Sequence, residues 1–373
     1  MSLWLERCIT GYFQLFGLVC GWSGNRLGRL LGSTFLVIIL IELANEIVNY
    51  FKGALPNGDP LSSYFVKTIQ SVNVAYKMVH SWIILTALFE CQRVRRLLEQ
   101  LPLVRGNSFI YRHFILELVL VGCGLTLILV EYNVGGLYLE STQYAFSLQA
   151  VRARYLQMML MVHRLDGQLE QLHRRVVTRA TDYKTLRYEY AHLAKLSRSL
   201  SRLYGLSLLQ LNILCLGDCI IICNVYFMVE YLKAMPGNWF VFAQTMYVVL
   251  PTLVKISTMC AACQRCVAKS KHLQEQLNDQ PGQTASDRSQ IEGFALQIMQ
   301  DPIQFDVCGI YHLNLQTLAG VNLHLQTNII THIIRYPFQY RCSSSFWRPW
   351  LYSCNSCPSY GRRPCSNKSW GLG

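Results

Sequence analysis

The sequence predicts an all-α, polytopic membrane protein with seven transmembrane helices, with the N-terminus inside and the C-terminus outside. Three observations lead to this fold class. Charged residues make up only 15% of the 373 residues, against roughly 25% in soluble domains. The mean hydropathy is positive, at +0.23. Apolar runs recur along the chain, and each has about the 20 residues that a helix needs to cross a bilayer.

The first three apolar runs are the clearest spans. The first covers residues 33–51 and reads STFLVIILIELANEIVNYF, the second covers 68–89 and contains Trp82, and the third covers 114–132. Residues 1–32 are expected to be a cytoplasmic N-terminal segment. This stretch mixes charged and aromatic side chains and lacks the long apolar core of a signal peptide.

The fourth run, residues 137–162, is the weakest candidate because it contains Glu140, Arg152 and Arg154. The bias of Lys and Arg toward cytoplasmic loops nevertheless argues for a span here. Without it, the strongly basic stretch 164–202 would share one outside loop with acidic residues. The two arginines should then lie near the cytoplasmic end of the helix, where long basic side chains can reach the headgroups.

The last three runs complete the transmembrane bundle and cover residues 206–231, 239–260 and 310–334. Of the segments between the spans, 163–205 is predicted to be a cytoplasmic helical segment, and 261–309 a cytoplasmic loop and anchor region. The net charge of +13 is assigned to these loops. A nucleic-acid partner would need a basic patch on a soluble domain, so none is expected, and the lipid bilayer is the expected surrounding.

The basic segment 163–205 keeps the spacing of amphipathic helices. The fourth and fifth helices should therefore extend beyond the membrane and be joined near Thr181 and Asp182. Their apolar stripes need a partner, either within the chain or from another subunit, and packing between subunits is favoured over an isolated hairpin. The stripes comprise Leu165, Leu169, Leu172, Val176, Leu186, Tyr190, Leu193, Leu196, Leu200 and Leu203.

Patterns typical of catalysis do not occur. The sequence contains no GxSxG, Walker or GxGxxG motif, and its histidines form no HExxH. Of its 15 cysteines, Cys260, Cys263 and Cys266 have C-x2-C-x2-C spacing. The fourth Cys-Pro of an iron–sulfur run is missing, so buried or juxtamembrane thiols are the preferred interpretation. We expect a protein that is not an enzyme and uses no cofactor or metal.

Polar residues inside spans are candidate functional residues, because burying them in a membrane is costly. Asp218 in the fifth span is the clearest, with Asn224 about two turns further along. A hydrogen bond between helices is the equally weighted alternative for Asp218. Glu42 and Glu46 lie one turn apart and would face water or a partner helix.

Aromatic residues suggest a ligand pocket toward the outer half of the bundle. The candidates are Trp82, Tyr226, Phe242 and Tyr247. The alternative is a belt of aromatic side chains at the membrane interface, which is favoured for Trp239. Lys255 lies close enough to the inner boundary for its ammonium to reach the headgroups.

One stretch, FDVCGIYHLNLQTLAGVNLHLQT from Phe305 to Thr327, is similar to the end of insect gustatory receptors. The length, the seven spans and the long basic inner segment resemble the same family. The resemblance implies a ligand-gated, non-selective cation channel in the plasma membrane of chemosensory neurons. It also implies a homo- or hetero-tetramer, in which the seventh helix lines the pore, the cytoplasmic helical extensions form the anchor between subunits, and a small-molecule ligand binds within each subunit.

The family pattern at the end of the last helix is Thr-Tyr, five hydrophobic residues, then Gln-Phe. Thr327 matches its start, and Asn328 stands in place of Tyr. Thr331 interrupts the apolar stretch, and Arg335 replaces Phe. Thr327, Asn328 and Thr331 are therefore the pore-helix residues that the resemblance implies, in a degenerate form of the motif.

The segment 335–373 departs from the rest of the chain. It is rich in Cys, Arg and Trp, has no Asp or Glu, and is basic although it is predicted to lie outside. Asn367 begins a formal glycosylation sequon. A shifted reading frame or altered gene model after about Thr327 explains this composition better than a functional tail.

The leading hypothesis is a gustatory receptor subunit that detects a small chemical tastant. An insect odorant receptor, which shares this topology, is the nearest rival. A polytopic transporter is the rival from another class, although the repeated halves common in transporters are not visible. A receptor relic that does not conduct is the third alternative, because Arg335 near the end of the pore would disfavour cations.

Overall fold

The computed structural model describes residues 3–18, 26–52, 60–101, 108–134, 138–178, 182–231, 238–279, 285–314 and 316, with side chains over a smaller set that excludes 219–242. Helices dominate this part of the chain, which confirms the all-α class. They are α1 (Leu3–Leu15), α2 (Arg26–Lys52), α3 (Pro60–Phe89), α4 (Cys91–Gln100), α5 (Ser108–Val134), α6 (Tyr138–Thr178), α7 (Tyr183–Tyr231), α8 (Asn238–Asn278) and α9 (Ala285–Gln300), followed by the antiparallel strands β1 (Asp306–Val307) and β2 (Tyr311–His312).

Five of the described helices have segments long and apolar enough to cross a membrane. They overlap the first, second, third, fifth and sixth predicted spans and comprise Leu30–Phe51, Gln70–Phe89, Tyr111–Val130, Tyr183–Asp218 and Met246–Asn278. The fourth predicted span is helical within α6 but is too polar to belong to this set. The seventh was predicted to begin at residue 310, and that start is wrong because Tyr311–His312 is a strand. The rest of that span lies outside the described residues, so the count of seven and the orientation stay predictions.

Helix α6 forms the centre of the bundle. All of its residues from Ser147 to Val162 are buried, and it packs against α3, α5, α7 and α8. A helix that is enclosed on every side can expose none of its polar groups to solvent. Its polar side chains must therefore find partners inside the protein, and these partners define the site described below.

Helix α1 packs into the bundle, which the sequence reasoning missed. Ile9 and Phe13 are at most 2% exposed. The helix ends at Leu15, and Gly17 in the turn after it has a φ of +69°, a left-handed conformation that glycine adopts readily. The amide of Leu18 then donates to the Phe13 carbonyl at 3.0 Å, as in a Schellman cap. This turn also brings Gly17 against the side chain of Ile84 in α3.

The apolar stripes of α6 and α7 are buried within the chain itself. We name residues 163–178, 183–205, 261–278 and 285–300 the distal bundle. The expectation that another subunit covers these stripes is wrong, because α8 and α9 cover them. All stripe residues except the half-buried Leu203 are buried, including Leu165, Leu169, Leu172, Val176, Leu186, Tyr190, Leu193, Leu196 and Leu200.

Tyr190 shows how the distal bundle closes. This α7 side chain exchanges a hydrogen bond with the Ser270 hydroxyl of α8 at 2.8 Å. Its ring meets the Phe294 ring of α9 edge to face, with centroids 5.9 Å apart. Lys269 ties α8 to α6 through Glu170 at 3.0 Å, and this contact holds the pKa of the Glu170 carboxyl below its ordinary value.

The strands β1 and β2 form a hairpin that docks on α7. Cys308 and Gly309 have φ of 53° and 72°, the pair of positive values typical of a type I′ turn. The Asp306 amide donates to the Ser201 hydroxyl of α7 at 3.2 Å. Gly205 of α7 lets the hairpin approach closely, since a Cβ there would lie 3.1 Å from the Cys308 nitrogen. This hairpin therefore anchors residues 306–312 on α7.

Candidate functional site

The predicted aromatic pocket is only partly within the described residues. The side chains of Tyr226 and Phe242 lie outside them, as does that of Asn224. Trp82 is a half-buried residue of α3, and its indole Nε1 is buried with no hydrogen-bond acceptor among the described residues. Tyr247 of α8 contacts α5 and α6, and its ring makes no contact with Trp82 in the described part of the chain. The pocket stays a prediction.

Tyr247 is held tightly by its neighbours. Its hydroxyl donates to the Leu120 carbonyl of α5 at 2.9 Å. A Cβ on Gly124 would lie 2.5 Å from that hydroxyl, so the glycine makes room for it. The guanidinium of Arg152 lies 4.5 Å from the ring centroid, within the range of a cation–π contact.

Asp218 accepts a hydrogen bond from the hydroxyl of Tyr76, and both side chains are buried. The Tyr76 ring packs edge to face on Tyr144 of α6, with centroids 5.2 Å apart. The sequence therefore identified Asp218 but not Tyr76 and Tyr144, because a tyrosine within an apolar helix does not by itself indicate a polar contact. The contact joins α3, α6 and α7, in line with the helix-to-helix alternative for this carboxyl.

Glu42 and Glu46 meet a cation on a neighbouring helix. Lys77 of α3 lies 2.7 Å from Glu46 and 3.9 Å from Glu42, and its side chain is 1% exposed. Of the two expectations for these carboxylates, the partner helix is confirmed by this contact. The lysine follows Tyr76 directly, so the two polar contacts lie next to each other on α3.

A second polar cluster centres on Glu117 of α5, which the sequence reasoning did not single out. Its carboxylate forms an ion pair with Lys255 of α8, and the two side chains are 1% and 7% exposed. Tyr12 of α1 donates to the same carboxylate at 3.1 Å, and the Gln149 amide of α6 donates at 2.8 Å. Arg152 donates to the Gln149 oxygen at 3.3 Å. One connected network therefore ties four helices together.

Arg152, Arg154 and Lys255 are buried inside the bundle, so the expectation that their charged ends reach the headgroups is wrong. The two arginines are at most 1% exposed and Lys255 is 6% exposed. Arg154 lies 4.4 Å from the ring centroid of Tyr204 and donates to Gln157 at 2.7 Å. Each of these charged groups contacts an aromatic ring or oxygen atoms inside the bundle, and these contacts offset the free-energy cost of removing the charge from water.

The cysteines of α8 are buried packing residues. Cys260, Cys263 and Cys266 are at most 2% exposed, and the Cys266 thiol lies 3.8 Å from the Val162 carbonyl and from Asp166. Within the described ranges, no group of three or more His, Cys, Asp or Glu side chains is placed to hold a metal ion. The arrangement is suited to holding helices in defined positions.

The predicted pore residues Thr327, Asn328 and Thr331, and the sequon at Asn367, lie outside the described residues. No geometry bears on them. The described part of the chain ends four residues after the hairpin, at position 316.

Comparison with known proteins identifies a family and finds solved structures that share the fold. A family model described as 7tm Chemosensory receptor matches residues 6–322. The chain is 68% identical over 321 residues to a Drosophila melanogaster protein named "Putative gustatory receptor 9a", covering 86% of this chain and 94% of that protein.

Two solved structures of the insect olfactory receptor OR5 from Machilis hrabei share the fold. The first has a TM-score of 0.62 and 12% identity. The second, a complex with eugenol, has a TM-score of 0.64 and 12% identity. Each match covers 88% of this chain and 97% of that chain. At this identity the likeness shows the fold alone.

Proposed function

Because the chain belongs to the 7tm chemosensory receptor family, we propose that it is a gustatory receptor subunit, a ligand-gated, non-selective cation channel that detects a small chemical tastant. The 68% identity to a protein named as a gustatory receptor carries the proposal. That identity favours a taste receptor over an odorant receptor, since the olfactory receptor structures are only 12% identical. We place the protein in the plasma membrane of a chemosensory neuron.

Two features support a membrane receptor that binds a small ligand. The helices α2, α3, α5, α7 and α8 contain segments able to cross a bilayer. One of the solved olfactory receptors is bound to eugenol, a small organic molecule. A ligand opens a channel by binding the open state more tightly than the closed state, so the pocket must contact helices that move.

A tetramer with a central pore is part of the proposal. It draws support from the exposed apolar residues of α9, where Leu296 and Met299 are 53% and 63% exposed. Large exposed apolar side chains mark surfaces that partners cover. The pore is assigned to the final helix with Thr327, Asn328 and Thr331, which the family resemblance implies.

Current recording tests the proposal. The chain is expressed in a cell line without endogenous chemoreceptors, alone and with co-expressed family members, and challenged with panels of sugars, alkaloids and fatty acids. We expect inward cation currents evoked by members of one chemical class. Saturable uptake of a compound without any conductance would point to a transporter instead. The absence of both currents and uptake would identify a relic that does not conduct.

We further propose that Trp82, Tyr226, Phe242 and Tyr247 contribute to the tastant pocket. The buried indole N–H of Trp82, which has no acceptor among the described residues, supports this. Trp82→Phe keeps an aromatic ring and removes the donor. The most active compound should then require about 2- to 10-fold higher concentration for half-maximal current, the worth of one hydrogen bond. An unchanged dose–response curve contradicts a pocket at Trp82.

The nucleotide sequence across codons 320–373 tests the nature of the tail. We expect that a shift of one or two bases restores the Thr-Tyr…Gln-Phe ending followed by a prompt stop. If neither alternative frame does so, the tail is native and the explanation by a shifted frame is wrong.

A further inference from the structure

Helix α8 carries a proline in its interior, Pro251. Proline has no backbone N–H, so it cannot donate to the carbonyl four residues earlier, and its ring crowds that carbonyl. The affected carbonyl is that of Tyr247. A carbonyl that loses its helical donor inside an apolar bundle needs a donor from elsewhere.

Arg152 of α6 supplies that donor. Its Nη2 donates to the Tyr247 carbonyl, and also to the Val248 carbonyl at 3.2 Å. The same guanidinium lies over the Tyr247 ring. The Thr252 hydroxyl adds a second donor to Val248 at 2.9 Å. A side chain of the central helix thus replaces the hydrogen bond that Pro251 removes from α8.

The other side of the proline is held as well. Lys255, one turn after Pro251, forms the buried ion pair with Glu117 of α5. Glu117 in turn accepts from Gln149, which accepts from Arg152. The two halves of α8 are therefore tied to α5 and α6 by one connected network that spans the proline. Helices bend where the hydrogen-bond ladder is broken, which in α8 is at Pro251. The network holds the helix on both sides of this point.

The Arg152 contact with α8 contains no direct ion pair. It consists of hydrogen bonds to carbonyls and a ring contact, and no carboxylate pairs directly with the guanidinium in the described part of the chain. Its Nε atom is buried with no hydrogen-bond partner among the described residues. Losing the contact therefore leaves no anion unpaired.

We propose that Arg152 is a positioning residue that latches α8 at its Pro251 break, and that release of this latch accompanies opening of the channel. The first part stands on the geometry alone. The second rests on the proposed channel function, so the experiment has one readout for each part.

Hydrogen–deuterium exchange of the full chain in lipid nanodiscs tests the latch. Arg152→Met removes the donor while keeping the apolar stem, and should speed exchange of the amides of 252–256 at least about tenfold, the effect of opening a locally stable segment. In Arg152→Met/Pro251→Ala, the new amide at 251 donates to the Tyr247 carbonyl. Exchange should then return to within about threefold of wild type.

Arg154→Met is the matched control. Arg154 is as deeply buried and lies two residues away, but its guanidinium lies over the Tyr204 ring of α7 and donates to Gln157 of α6. Its replacement should not change exchange of 252–256. If Arg152→Met fails to fold, Pro251→Ala alone, which keeps every charge, should slow exchange there. The latch is overturned if exchange of 252–256 in Arg152→Met equals that of the wild type, or if the double variant does not restore the wild-type rate. If only Pro251→Ala can be measured, the latch is overturned when exchange there is not slowed.

Membrane currents test the link to opening. Arg152→Met should raise the current without ligand several-fold, and the double variant should lower it again. If the currents of Arg152→Met are the same as those of the wild type, with and without ligand, release of the latch is not linked to opening, although the latch itself stands. If even the wild type passes no current while the exchange results hold, the channel proposal fails and the latch stands.

Discussion

The Glu117–Lys255 ion pair gives the sharpest test of how the buried network stabilises the protein. The two side chains are 1% and 7% exposed, so salt screens their attraction little. Lys255→Met removes the ammonium and keeps most of the apolar stem. The Glu117 carboxylate then retains only the neutral donors Tyr12 and Gln149.

The expected loss follows from these contacts. Removing one partner of a buried pair costs about 3–5 kcal/mol. The two hydrogen bonds that remain lower the cost of the unpaired carboxylate. We expect about 2–4 kcal/mol, or a fall of about 4–8 °C in the melting temperature. Glu117→Gln/Lys255→Met, which removes both charges, should recover most of it.

The assay is thermal unfolding in detergent micelles at pH 7, followed by intrinsic fluorescence. Arg198→Ala is the control, because it breaks an exposed pair with Asp301, whose charged atoms are 3.3 Å apart. Exposed pairs contribute about 0–1 kcal/mol, so the melting temperature should shift by at most about 2 °C. The reasoning is refuted if Lys255→Met melts with the wild type, or if the double variant is no more stable than the single one.

Three further changes test other contacts. Gly124→Ala should displace the Tyr247 hydroxyl, because the new methyl group would lie 2.5 Å from it, and should cost about 1–3 kcal/mol in thermal unfolding. Gly205→Ala should loosen the hairpin, since the methyl group meets the Cys308 nitrogen at 3.1 Å, and proteolysis after residue 300 should become faster. Burial, and next the neighbouring His272, lower the pKa of His173. The unfolded chain therefore binds a proton at this histidine more readily than the folded chain does, and the melting temperature should fall as the pH drops below about 6.5. This fall should be less steep in His173→Gln.

Two glycines provide controls on the same helices. At Gly122 of α5 and Gly217 of α7, no atom of the described residues lies within 4 Å of an added Cβ, apart from the helix's own nearby backbone. Alanine at either position should stabilise the helix by about 0.5–1 kcal/mol. If these variants lose as much stability as those at Gly124 and Gly205, the close contacts at Gly124 and Gly205 do not explain the losses. A pH dependence that is unchanged in His173→Gln would assign it to other groups.

The long helices α6 and α7 could be predicted because apolar residues recur at helical spacing with no proline between Arg152 and Met235. The extension of α8 was missed for the opposite reason. The stretch KSKHLQEQLN is polar enough to resemble a loop, although Leu273 and Leu277 are fully buried in it. Two apolar positions in a short polar window do not outweigh its composition.

The polar network could not be predicted from a single sequence. Tyr12 and Gln149 are 137 residues apart and meet only in the folded bundle. Arg152 was expected at a membrane boundary because a charge in a span is costly. The structure meets that cost with the Tyr247 carbonyl, which Pro251 leaves without its helical donor, and with the Val248 carbonyl. Tyr247 was assigned to a pocket from its residue type, while Gly124, which makes room for it, carries no signal by itself.

Helix α7 runs unbroken over 49 residues, so at 1.5 Å per residue it is a rod about 73 Å long. Asp218 and Tyr190 lie about 42 Å apart along it. Tilting such a rod by about 3° around its middle moves each end by about 2 Å. A tilt of α7 caused by a side-chain movement near Asp218 would therefore displace the far end of the helix by about a bond length. The hairpin, which docks near the middle of the helix at Ser201 and Gly205, would stay almost in place.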